Sequence, residues 1–136
     1  MRSALYHLQL NINFINKDFY REFMEFLGWE IIFTTDNIMG YKTEASGSLW
    51  FVNSNAKTYQ NYDDIGLNHI AIRVDTKNDV DRISKYIQDK NISLLFNTPR
   101  HRKEFVETES ETYYQVMFET PDKILFEIVY IGLKVH

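Results

Sequence analysis

Gly66-Leu67-Asn68-His69-Ile70-Ala71-Ile72-Arg73-Val74-Asp75 is the stretch whose reading decides the fold. From Ile70 to Val74 apolar residues alternate with small or charged ones, the two-residue period of a strand that buries one face. Ile70, Ile72 and Val74 share that face; His69, Ala71 and Arg73 share the other. The start of the chain carries the same pattern. In Leu5-Tyr6-His7-Leu8-Gln9-Leu10-Asn11-Ile12, the residues Leu8, Leu10 and Ile12 face one way, and His7, Gln9 and Asn11 the other. Both strands open their polar face with a histidine.

Working outward from these two strands, the same order of elements follows each. After the first, 16–27 reads as a helix with Phe19, Phe23, Phe26 and Leu27 on one stripe, and Gly28 sits where a left-handed cap is wanted. Strands follow at 29–34, 38–43 and 48–52, with Asp36-Asn37 as a turn, and 53–64 is a polar connection. After the second, Thr76 followed three residues later by Asp79 gives a helix-capping signature. Val80, Ile83 and Ile87 continue one helical face to about Asp89, and Asn91 closes it. A strand at 92–96, a loop from 97 to about 111, and strands at 112–119 and 123–131 around the turn Thr120-Pro121-Asp122 complete the chain. Strand, helix and three strands, twice over, is how an internal duplication looks once side chains have diverged. The fold class is therefore α+β, two βαβββ repeats forming a cup-shaped mixed sheet around a central cleft. The domain organisation is a single domain, 1–136, made of pseudo-repeats at about 4–60 and 66–133.

Composition sets the outer limits. Of 136 residues, 44% are hydrophobic, and ten Phe with nine Tyr are enough to fill one core, which excludes a disordered chain. A net charge of −4 argues against nucleic acid as a partner and supplies no basic face for a membrane surface. There is no cysteine, so disulfides, thiolate ligands and thiol nucleophiles are all excluded. No apolar run approaches the roughly 20 residues of a membrane span, and no signal peptide opens the sequence. The expectation is a soluble, cytoplasmic protein whose metal, if it has one, is held by His and carboxylate.

The last strand supplies that carboxylate. Glu127 stands alone among Ile124-Leu125-Phe126 and Ile128-Val129-Tyr130, and a mid-strand carboxylate is expensive to bury without a partner. His7, His69 and Glu127 make a ligand set suited to Zn²⁺, Ni²⁺, Mn²⁺ or Fe²⁺. The competing reading leaves both histidines on a solvated sheet face and pairs Glu127 with Arg73. Gln9, Asn11 and Arg73 are candidates to line the cleft and orient a polar substrate, as are Tyr113 and Tyr114 at the start of the seventh strand, one of which should point inward. The aromatic supply, with Trp50 and Phe51 among it, suits stacking on a flat ligand. Arg100-His101-Arg102-Lys103 reads either as a flap with cations for an anionic substrate or as solvated surface. His136 is expected to be inert.

Taken in order, these segments resemble the vicinal oxygen chelate superfamily, which includes glyoxalase I, bleomycin-resistance proteins, fosfomycin-resistance enzymes and extradiol dioxygenases. The matching pieces are His7 to Ile12, Phe19-Tyr20 through Phe26-Leu27-Gly28, Leu67 to Val74, and Thr120-Pro121-Asp122-Lys123 leading into Leu125-Phe126-Glu127. The resemblance implies a divalent metal on His7, His69 and Glu127, chelated by adjacent oxygens of a small-molecule substrate, and a homodimer. Two positions depart from the family pattern. Matching Leu49-Trp50-Phe51-Val52 to Leu125-Phe126-Glu127-Ile128 sets Phe51 against Glu127, so the fourth ligand of the glyoxalases is missing. Lys123 stands where the family has Gly. The implied function is metal-dependent lyase, epoxide-opening or dioxygenase chemistry through Lewis-acid activation. The alternative is a metal-free drug-binding protein of the bleomycin-resistance type.

Overall fold

A computed structural model describes residues 1–134; His136 lies outside the described residues. The chain divides into two compact units, Met1–Thr58 and the remainder from Tyr59. In the first, β1 (His7–Ile12) leads through a 3₁₀ turn into α1 (Lys17–Phe26), then β2 (Glu30–Thr34), β3 (Ile38–Lys42) and β4 (Ser48–Asn53). In the second, β5 (Ile70–Arg73) precedes α2 (Lys77–Asp89), β6 (Leu94–His101), a 3₁₀ turn at Lys103–Phe105, β7 (Glu111–Glu119) and β8 (Leu125–Leu133). The result is an α+β fold of two four-stranded mixed sheets, neither closed, ordered β1-β4-β3-β2 and β5-β8-β7-β6. In each, the first strand runs parallel to the last and the other pairs are antiparallel.

In the first unit, alternation along β1 buries Leu10 and Ile12 and leaves His7, Gln9 and Asn11 exposed. The buried stripe of α1 is Tyr20, Phe23 and Met24, whereas Phe26, assigned to the stripe from sequence, is 40% exposed. Contact with the sheet sets the helix rotation: the Tyr20 ring lies 4.9 Å from that of Phe51 on β4. Gly28, at φ +83°, ends the helix as expected. Its N–H reaches Glu25 O and that of Trp29 reaches Met24 O, both at 3.0 Å, the paired bonds of a Schellman closure.

In the second unit, α2 buries Val80, Ile83, Ser84 and Ile87. Its N-terminus is capped by Thr76, whose hydroxyl accepts from the Asp79 N–H at 3.0 Å. Ile70, Val116, Phe118, Phe126 and Ile128 are buried, with the Phe118 and Phe126 rings stacked at 5.9 Å. Leu8, Ile72 and Val74 are only half-buried; Leu8 and Ile72 lie on β1 and β5, each at the edge of its sheet. β6 is longer than the sequence suggests and continues to His101. The strand continues past 96, where a loop is expected, by a bulge with Phe96 and Asn97 both at φ +57°. The Thr98 hydroxyl ties the bulge down, donating to Leu95 O at 2.6 Å and accepting from the Met117 N–H at 2.9 Å. Lys123 takes φ +64°, a left-handed turn position that suits glycine better.

Because Ile128 is fully buried in the core, Ile128→Ala should cost about 2–5 kcal/mol in urea denaturation. Leu8→Ala, at a half-buried edge position, should cost clearly less.

Candidate functional site

Glu127 is 3% exposed. On β8 it alternates with Phe126 and Ile128, which belong to the core, so it lies on the sheet face away from α2. A carboxylate so deeply buried must find donors or give up its charge. It finds three. Oε1 accepts from the Tyr113 hydroxyl in a very short contact and from Gln115 Nε2 at 2.8 Å, and Oε2 lies 3.0 Å from His69 Nε2. The sheet supplies this geometry directly. Tyr113 and Gln115 are two apart on β7 and so share a face, β7 pairs antiparallel with β8, and β5 pairs with β8 on the other side. Sequence reasoning did not single out Gln115. The available signal was its two-residue offset from Tyr113 and its place beside Val116 and Met117, where an amide needs a partner.

The hydrogen-bond pattern fixes the roles of the ring nitrogens and the amides. Asn68 donates through Nδ2 to Tyr62 O at 2.8 Å, which leaves its Oδ1 facing His69 Nδ1 at 2.7 Å. Nδ1 therefore carries hydrogen, and Nε2 is the nitrogen turned to Glu127. Arg102 is a donor only, and its Nη1 meets Gln115 Oε1 at 2.8 Å, so the NH₂ end of that amide must face the carboxylate. A histidine anchored through Nδ1 with Nε2 beside a carboxylate oxygen is the donor arrangement of many metal sites. The separation fits as well: neighbouring ligands at about 2.1 Å from an ion in octahedral geometry lie about 3.0 Å apart.

His7 heads β1 in the first unit, exposed, with Tyr6 edge-on at 5.5 Å. Among the described residues no group of three or more His, Asp or Glu side chains converges. The structure thus joins His69, Glu127 and Tyr113 from the expected set, and adds Gln115 and Asn68.

The other candidates fall elsewhere. Gln9 and Asn11 are exposed neighbours on β1, linked at 3.1 Å. Arg73 is exposed and donates to Ile131 O at 3.2 Å, so the partner of Glu127 is His69 rather than Arg73. Tyr114 must be removed from the ligand-facing set. It points to the opposite side of β7, where its hydroxyl donates to Asp81 of α2 at 2.6 Å and the Lys77 ammonium lies 4.4 Å from its ring centre. Phe51 must also be removed: it is fully buried against Tyr20 as part of the core. The strand register explains that error. Leu8 pairs with Leu49 as Ile70 pairs with Phe126, which places Trp50, not Phe51, at the position of Glu127. Trp50 is half-buried, its Nε1 donating to Ser48 Oγ at 2.9 Å and its ring lying on Gly40, where a Cβ would come within 2.6 Å. Neither residue binds metal. In the basic cluster, Arg102 turns inward to Gln115, while its Nε donates to Glu104 at 2.5 Å.

Comparison with known proteins agrees with this architecture. A family model described as Glyoxalase/Bleomycin resistance protein/Dioxygenase superfamily matches residues 15–128. A glyoxalase-like protein crystallised from Bacillus halodurans is 22% identical, with a TM-score of 0.77 over 95% of this chain and 96% of that one. A possible glyoxalase from Bacillus cereus is 14% identical, with a TM-score of 0.67 over 94% and 99%. A mutant of the fosfomycin resistance protein FosX from Listeria monocytogenes, complexed with Mn(II) and 1S,2S-dihydroxypropylphosphonic acid, is 18% identical, with a TM-score of 0.66 over 95% and 90%. At these identities the structural likeness establishes the fold alone. Searching curated proteins gives no significant match.

Burial raises the pKa of the Tyr113 phenol well above that of a free tyrosine, and the hydrogen bond to Glu127 and its negative charge push the same way. A group whose pKa is higher in the folded state contributes stability that is intact below its unfolded value, about 10, and is lost as pH rises beyond it. Stability measured by denaturant should therefore fall above about pH 10, and Tyr113→Phe should flatten that fall. An unchanged slope in the variant would separate Tyr113 from the effect.

Proposed function

The chain belongs to the Glyoxalase/Bleomycin resistance protein/Dioxygenase superfamily, and from that premise we propose that it is a metal-dependent enzyme acting on a small, oxygen-rich molecule. The observation that carries this reading is the His69–Glu127 pair, an imidazole nitrogen and a carboxylate oxygen 3.0 Å apart with the far side of each group already hydrogen-bonded. His69 and Glu127 are the proposed ligands, with His7 as the third donor that the family resemblance supplies. The donor set suits Zn²⁺, Ni²⁺, Mn²⁺ or Fe²⁺, and the Mn(II) held by the FosX relative supports an ion of this class. When bound, such an ion supplies Lewis-acid stabilisation of negative charge on substrate oxygen. Glu127 offsets the positive charge, His69 is held in one tautomer, and the Tyr113 hydroxyl, which keeps its proton at neutral pH, offers a donor beside them. The reading covers isomerisation, epoxide opening and ring cleavage. With Trp50 in the place equivalent to Glu127, the first unit adds no carboxylate ligand at that strand position, which favours epoxide opening or dioxygenation over the glyoxalase reaction.

We also propose a cytoplasmic homodimer. The exposed apolar residues Ile31, Ile32 and Phe33 on the edge strand β2 suit pairing with a second copy. A metal-free drug-binding role is the second reading, supported by the Phe33 and Trp50 rings, 5.8 Å apart on the face of the first sheet that carries Gln9.

Thermal denaturation decides between the two readings. An ion that binds only the folded protein should stabilise it by about 2.7 kcal/mol at 100 times its Kd. A chelator should lower the melting temperature of the protein as purified, added divalent metal should restore it, and His69→Ala should remove both responses. A melting temperature indifferent to chelator and metal would favour the binding protein.

A further inference from the structure

Behind Glu127 stands a second layer of side chains that the proposed function does not use. Arg102, 20% exposed in its side chain, leaves the β6–β7 loop and points inward to Gln115, itself 3% exposed. Its guanidinium lies 4.8 Å from the Phe105 ring centre, and Phe105 in turn meets the Tyr113 ring edge-on at 5.1 Å. Two routes therefore run from one short segment, Arg102 to Phe105, to the same carboxylate oxygen: through Gln115 and through Tyr113.

Each contact constrains the next. An isolated glutamine amide can turn over, exchanging its donor and acceptor ends, and the turned form would set its carbonyl against the Glu127 carboxylate. Arg102 prevents this, because it has only donors to offer and so holds the carbonyl end. The NH₂ end is then fixed on Oε1. Tyr113 occupies the same oxygen, and Oε2 is left as the one facing His69.

On the metal-enzyme reading given above, we propose that Arg102 is a positioning residue. It locks the Gln115 amide so that Glu127 offers a single oxygen, Oε2, to an ion held with His69. The basic cluster of the β6–β7 loop thus serves the carboxylate from behind instead of offering Arg102 to an anionic substrate. Outer-shell partners of metal ligands are generally worth 10–100-fold in affinity, and a residue acting through one amide should fall within that range.

Titration of the full-length protein with Mn²⁺ by calorimetry tests the proposal. Arg102→Ala should weaken Mn²⁺ binding by about 10–100-fold, while its melting temperature in chelator stays that of wild type. Arg102→Lys, which keeps a donor for the Gln115 carbonyl, should recover much of the affinity. Gln115→Met, close in shape but without the amide, should lose as much as Arg102→Ala. Wild-type affinity in Arg102→Ala would overturn the positioning role. So would a matching loss of stability in chelator, which would make Arg102 a structural residue. Failure of the wild-type protein to bind Mn²⁺ or any other divalent ion would instead overturn the metal reading itself.

Discussion

A carboxylate buried in mid-strand is the constraint on which the second unit depends. Glu127 is 3% exposed, and its charge can remain there only while donors surround it. β7 meets that demand by placing the Tyr113 and Gln115 donors on one carboxylate oxygen, and the residues entering β5 set His69 beside the other. Removing Tyr113 or Gln115 would strip a donor from a buried carboxylate, a loss larger than the net value of one hydrogen bond. The orientation of the Gln115 amide, held by Arg102 of the β6–β7 loop, serves the same requirement.

Much of this was legible in the sequence, and the limit of legibility is a register of one residue. The alternation in 70–74 and in 8–12 identified the faces of β5 and β1, and the duplicated order of elements gave the two βαβββ units. Those signals are strong because every second residue repeats them. Matching β4 to β8 had no such support. Both strands are apolar on both faces, and sliding one by a single position exchanges core for the opposite face. Phe51 was thus matched to Glu127, where the pairing of Leu8 with Leu49 and of Ile70 with Phe126 gives Trp50. Tyr113 and Tyr114 pose the same problem in miniature: adjacent residues must diverge, and only the position of Asp81 on α2 shows which one joins the helix. Gln115 is half legible: an amide in an apolar strand needs a partner. Nothing in a linear sequence reveals that an amide in an apolar strand has a carboxylate opposite it.

The two units show what a duplicated backbone permits. At the place of Glu127 the first unit carries Trp50, set flat on Gly40 and tied to Ser48, so one repeat presents an aromatic surface where the other presents a charge. The glycine is required by the indole: a Cβ would come within 2.6 Å of the ring. Conversely, β7 carries the amide and phenol that a carboxylate needs and an indole does not. Lys123, at φ +64°, shows the turn geometry retained where the preferred residue is absent.

The central claim is that His69 and Glu127 are metal ligands and not simply a buried ion pair. The most direct measurement is a crystal structure grown with Mn²⁺ and read by anomalous scattering at the manganese edge. The account predicts a peak within bonding distance of both His69 Nε2 and Glu127 Oε2. A map with no peak there, the two side chains still hydrogen-bonded to each other at full Mn²⁺ occupancy elsewhere, would contradict it.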